Sequence, residues 1–365
     1  MRELMKKTMY EQAALVRNGE VSESDLVEAA IESIEALNPS INAVVLPMFD
    51  IAREAVKRLK GDEPFCGVPI LLKDVLAEYA GSPMTEGSRY LQGYISPRDS
   101  EIVARMRRAG FIVCGKTNSP EFASKPTTEP TLYGPTKNPW DLSLSPGGSS
   151  GGSGAAVAAG MVSVAHANDG GGSTRVPAAA CGLVGLKATR GRNPLGPDYG
   201  DIGAAGLLSE HVVTRTVLDT ALMLDVTAGA DLGAPFYPPP PTRPFAEEVG
   251  AEPGRLRIAF SDQPILATPV HSECAAAVRQ VASICEDLGH QVEEAKPLVD
   301  GEEFQRNFTT IWMGMVSWMM RDWERRTGRK LEKELFEEHT WKMYSLDEKK
   351  RPSDFLLAVH DMQVF

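Results

Sequence analysis

Apolar positions recur along this chain first with a helical period and then in short continuous runs. Leu26, Val27, Ala30, Ile31, Ile34 and Leu37 fall on one helical face over residues 23–37, after Ser22 and Ser24 as candidate N-caps. Residues 8–18 and 50–60 carry the same period, and Asn38–Pro39 predicts the end of the second helix. Ile41 to Leu46 is apolar enough for an extended segment. From Gly67 the pattern changes. The run in GVPILLKD predicts a strand buried on both faces, with Lys73 and Asp74 at its end. A helix follows over 99–109, opened by Asp99–Ser100–Glu101 and closed by Gly110. Phe111 to Cys114 then predicts another buried strand, after which GKTNSPEF begins a polar loop. Such alternation implies an α/β class with a mixed, largely parallel, twisted central sheet covered by helices on both faces.

The stretch from Ser145 to Pro177 holds two glycine and serine clusters, GGSSGGSG at 147–154 and GGGS at 170–173. Gly154 to Gly160 predicts a tightly packed helix and Met161 to Ala165 a buried strand. Ser173 then sits at a turn before a second small-residue helix. Further on, Leu183–Lys187 predicts a strand, 189–206 a long loop, and Arg215–Ala228 a helix. The proline-rich 234–244 segment is a stiff surface crossing. A strand, helix and strand unit follows over 256–260, 271–288 and 291–292. Residues 303–326 are a helix rich in tryptophan and methionine, and 331–365 is charged and helical. The helical stripe lines an apolar pocket or, more commonly for such stripes, packs in the core. Three parts result: a helical layer at 1–63, a core with the glycine loops at 64–230, and a continuation of the same domain at 231–365.

Charge narrows the function classes. With 38 basic against 49 acidic residues the net charge is −11, which argues against nucleic-acid and anionic-membrane partners. No apolar run is long enough to span a bilayer, and no metal-ligand spacing occurs. Five scattered cysteines without a CxxC pair predict free thiols in the cytoplasm, and no cofactor is expected.

The serines admit three readings. Gly147–Gly148–Ser149–Ser150–Gly151 fits the G-x-S-x-G elbow of a Ser-His-Asp hydrolase with Ser149 as nucleophile, but the residues before it make a poor strand. A phosphate loop would need a lysine after the glycines, and none is there. The third reading joins both serines to Lys73: an apolar setting lowers a lysine pKa, so a neutral amine can take a serine proton. Against it stands a simple ion pair between Lys73 and Asp74.

GVPILLKD, GKTNSPEF, GPTKNPWDLSLSPGGSSGGSGAAVAAG and HANDGGGSTRVPAAACGLVGLKATRGR, with the preceding INAVV, resemble the amidase signature family over most of residues 10–230. The resemblance implies that family's fold and a Ser, cis-Ser, Lys triad. Ser173 resembles the nucleophile, Ser149 the bridging serine after a cis Gly148–Ser149 peptide, and Lys73 the base. It further implies Gly170, Gly171 and Gly172, with Ser173, as oxyanion donors, and Ser150, Asp169 and Arg175 in support. Within the family the chain looks more like the branch of cyclic-dimer nylon-oligomer hydrolases and aryl or xenobiotic amidases. Val176 stands where the amidating component of the tRNA amidotransferases usually carries glutamine. The implied substrate is a small, partly hydrophobic amide, anilide, ester or carbamate, and the implied assembly a homodimer. A glutamine-dependent amidotransferase component needing partner chains stays open beside this. Family members continue into a final block that nothing before Phe365 resembles, so a fragment and a differently closed core are both expectations.

Overall fold

The structure, a computed structural model, describes residues 1–200, 205–266 and 268–364. Residues 201–204 of the long loop expected at 189–206 lie outside the described residues. Helix α1 (Met9–Arg17) and helix α2 (Glu23–Ile41) each begin with a full capping box, Thr8 with Glu11 and Ser22 with Asp25. Of the two candidate caps of α2, Ser22 is therefore the one used. That helix does not end at Asn38–Pro39. It continues through Pro39 to Ile41 and stops at Asn42, which takes the left-handed conformation at φ 58°. The Asn38 side chain accepts from the Ala43 and Val44 N–H groups at 2.8 Å each, so the turn is satisfied beyond the helix rather than within it.

Strand β1 (Val44–Pro47) leads to helix α3 (Phe49–Val56), then strand β2 (Pro69–Lys73), helix α4 (Glu101–Arg108) and strand β3 (Ile112–Thr117). The expected polar loop starts late, because Gly115, Lys116 and Thr117 pair in β3 with both β1 and β2. Helix α5 (Gly151–Ala158), strand β4 (Val164–Asp169) and helix α6 (Arg175–Cys181) follow. Then come strand β5 (Val184–Gly185), strand β6 (Ser209–Thr214) and helix α7 (Val217–Thr227). These six strands form one sheet in the order β1-β3-β2-β4-β6-β5. The centre, β3-β2-β4, is parallel, and the outer pairings are antiparallel.

Alternate residues of the central strands feed two cores, as the period of two requires. Leu71, Ala165, Ala167 and Val213 pack with the apolar faces of α2, α5 and α6. Ile70, Leu72, Val164 and Val212 pack with α1, α4 and α7. Lys73 follows Leu71 by two residues and so shares the face covered by α5. Every residue of β2 is buried, which explains the continuous apolar run.

The chain divides into two compact units, one of residues 1–249 with 315–345 and one of 250–314 with 346–365. The second contains the parallel pair β7 (Arg257–Phe260) and β8 (Gln291–Glu294) flanking helix α8 (Ser272–Asp287), together with helix α11 (Pro352–Val364). Helix α10 (Glu338–Asp347) lies almost wholly in the first. Helix α9 (Gly301–Thr327) belongs to the first unit from Met315 onward, where Met319, Met320 and Trp323 are buried core residues. The methionine and tryptophan stripe is thus core there. No helix among the described residues is long and apolar enough to cross a membrane.

Close packing explains one glycine. A Cβ on Gly152 would lie 2.4 Å from the Asn118 backbone N and 2.6 Å from its O. Gly152→Ala is expected to lower unfolding stability by about 1–3 kcal/mol, as overpacking does. A urea melt of the variant against the parent checks this.

Candidate active site

Four backbone segments meet at the carboxyl end of β2. Strand β2 brings Lys73, the loop into α5 brings Ser149 and Ser150, β4 brings Asn168 and Asp169, and the turn into α6 brings Ser173. The Gly148–Ser149 peptide is cis, as the resemblance implied. Gly147 before it takes φ +78°, a conformation open to glycine.

Lys73 is fully buried, and its Nζ donates to Ser149 Oγ at 2.6 Å and to Asn168 Oδ1 at 2.5 Å. The expected alternative, a pair with Asp74, does not form. Asp74 instead accepts from the Thr85 N–H at 3.2 Å and the Thr85 hydroxyl at 2.5 Å. Burial without a carboxylate partner drives the Lys73 pKa down to about 7, although Glu210, Asp169 and Glu86 pull it upward. Near neutrality a substantial fraction of the amine is therefore free to accept a proton.

Asn168 orients this contact. Its Nδ2 donates to the Val75 carbonyl at 3.2 Å, which turns Oδ1 toward Lys73. Ser150 ties the two serine loops together, its N–H donating to the Ser173 carbonyl at 3.1 Å and its hydroxyl to the Asn168 carbonyl at 3.3 Å.

Asp169 holds the Ser173 turn. Its carboxylate accepts from the N–H of Gly172 at 2.7 Å, of Thr174 at 3.2 Å and of Arg175 at 3.3 Å. The Arg175 guanidinium closes a two-point ion pair on it at 2.9 Å. Burial opposes the charge, but Arg175 and these amides outweigh it and keep the Asp169 carboxyl below its ordinary range. Of the amides expected to face an oxyanion, that of Gly172 donates to Asp169. The amides of Gly170, Gly171 and Ser173 have no acceptor among the described residues.

Sequence reasoning missed Asn168, His166 and Glu210. His166 Nδ1 accepts the Lys73 backbone N–H at 3.3 Å, and its Nε2 meets the Glu210 carboxylate. Neighbouring strands bring these distant residues together, with His166 on β4 opposite Val212 on β6. The signal in HAND was available as polar residues inside a buried strand. A groove of about 700 Å³ lined by Arg58, Leu59, Tyr79, Arg107 and Phe111 contains none of these groups.

A protein-family model described as Amidase matches residues 25–358. A curated 6-aminohexanoate-cyclic-dimer hydrolase of Paenarthrobacter ureafaciens is 41% identical over 362 residues, covering 97% of this chain and 72% of that protein. A solved 6-aminohexanoate cyclic dimer hydrolase complexed with substrate superposes with TM-score 0.94 at 38% identity, covering 99% of this chain and 75% of the other. A bacterial aryl acylamidase of the amidase signature enzymes superposes with TM-score 0.88 at 28% identity, covering 96% and 74%. A Glutamyl-tRNA(Gln) amidotransferase component from Thermotoga maritima superposes less closely, with TM-score 0.68 at 27% identity, covering 99% and 73%.

Proposed function

We propose, from the premise that the chain belongs to the amidase family and hydrolyses amide bonds, that it does so through an acyl-enzyme on Ser173. The carrying observation is a fully buried Lys73 whose Nζ lies 2.6 Å from Ser149 Oγ. Neutral Lys73 takes the Ser149 hydroxyl proton while Ser149 takes that of Ser173, whose oxygen attacks the substrate carbonyl. Negative charge develops on the carbonyl oxygen, and the amides of Gly170, Gly171 and Ser173 are the donors proposed for it. Collapse breaks the C–N bond, and the amine leaves with a proton returned through Ser149 from the Lys73 ammonium. Water then attacks the ester by the same relay and restores Ser173.

The other readings are not favoured. Ser149 meets a lysine, not a histidine, and residues 141–150 form no strand, so the nucleophile elbow lacks both its base and its framework. The relatives named a hydrolase and an acylamidase superpose more closely than the amidotransferase component.

The substrate class we propose is a small, partly hydrophobic amide, cyclic or aryl, with esters and carbamates as side substrates. The names of the relatives at 0.94 and 0.88 TM-score support it. A cytoplasmic site of action is supported by five cysteines that are all free. A homodimer completes the reading, and sedimentation equilibrium checks it.

The pH dependence tests the mechanism. Because the neutral amine is the active form, kcat/KM on 6-aminohexanoate cyclic dimer or an acyl anilide is expected to rise with pH through about 7. A rate that falls as pH rises through that range contradicts a lysine base.

A further inference from the structure

Behind Lys73 lies a buried polar chain that the proton relay does not use. His166 is fully buried and Glu210 nearly so. The Lys73 N–H donates to His166 Nδ1, so that nitrogen carries no proton and the imidazole hydrogen sits on Nε2, facing Glu210. The imidazole bridging the lysine and the carboxylate is therefore uncharged.

Of the carboxylates that favour the Lys73 ammonium, Glu210 acts most strongly, and it has no lysine or arginine against it among the described residues. From β4, Asp169 is neutralised by Arg175. From the segment after β2, Glu86 accepts from Trp323 Nε1 at 3.0 Å, and burial raises its pKa to about 7. From β3, Lys116 donates to the Ala77 carbonyl at 3.0 Å, with Asp74 beside it. On β6, His211 is held by Asn193. Helix α5, which covers this face, carries no charged residue. The Glu210 carboxylate meets only the neutral imidazole.

We infer that His166 and Glu210 are positioning residues for Lys73. His166 pins the strand end that carries the lysine, and Glu210, held through His166, supplies the fixed negative charge that sets the pH at which the amine becomes neutral. This rests on the reading of Lys73 as the base. The Glu210 charge stabilises the ammonium, so removing it lets the amine lose its proton at lower pH.

Glu210→Gln keeps an acceptor for the Nε2 hydrogen and removes the charge. Two readouts are taken on the full chain: the acid limb of kcat/KM, and the titration of the Lys73 Cε resonance in 13C-lysine-labelled protein, assigned by its loss in Lys73→Met. Both midpoints are expected to fall by about half a pH unit, an about threefold gain in neutral amine at a fixed pH below the midpoint. Glu210→Asp is expected to restore them toward the parent. Should Glu210→Gln fail to fold, His166→Asn keeps an acceptor for the Lys73 N–H and strips the carboxylate of its donor. With nothing holding it toward the lysine, the carboxylate no longer favours the ammonium, and the same downward shift is expected. An unmoved Cε midpoint overturns the inference, whatever happens to the maximal rate, since a merely structural role lowers rate or stability without moving the titration. A Cε midpoint that moves while the acid limb stays leaves the inference standing and overturns Lys73 as the base.

Discussion

Replacing Ser173 by alanine leaves a folded protein whose turnover of a cyclic amide or anilide falls by about 10⁴-fold or more, as removal of a serine nucleophile does. The fold survives because the Ser173 side chain has no hydrogen bond among the described residues, while its carbonyl, which alanine keeps, holds the Ser150 N–H at 3.1 Å. The turn itself is fixed by Asp169 and Arg175, which the substitution does not touch. Steady-state kinetics and a thermal melt run on the same preparation separate the two effects. Activity near that of the parent places the nucleophile elsewhere, and Ser149 becomes the first residue to examine.

Lys73→Met is expected to lower kcat by about 10³–10⁴-fold, within the range of general-base losses where the relay has no other acceptor. Methionine fills similar space without an ion, so this loss comes with an intact fold. The variant also carries a signed stability effect. The Lys73 amine titrates at about 7 in the folded chain against 10.5 when free. Between those values the unfolded chain holds a proton that the folded chain has lost, so this group's contribution to stability rises with pH across that window. Lys73→Met lacks that rise. The gap between parent and variant therefore shifts in the parent's favour from pH 7 toward pH 10, which paired urea melts measure. A gap independent of pH contradicts a neutral buried amine. Ser149→Ala is expected to match Lys73→Met in rate, because either change interrupts the same proton path.

The candidate site was legible where the sequence violated local expectation. A lysine closing a continuous apolar run and two glycine clusters each holding a serine stand out, and Lys73 and Ser149 do meet. The central strands were legible because burial on both faces leaves apolar runs. Strand β6 was not, since SEHVVT begins with three polar residues whose burial depends on partners in β4 and in the loop before it. Glu210 and His166 were hidden for the same reason. Their significance is a cross-strand contact, which no local spacing encodes. Pro39 misled because proline usually stops a helix, and here the stop comes only at Asn42. The direction of the Gly172 amide, toward the Asp169 carboxylate, was likewise not encoded in any local spacing.

The central claim is that this chain by itself assembles an activated serine at position 173. Its most direct test is the intact mass of the parent and of Ser173→Ala after incubation with a fluorophosphonate. One adduct on the parent, absent from the variant, is the predicted result. An adduct that persists in Ser173→Ala, or none on a folded parent, contradicts it.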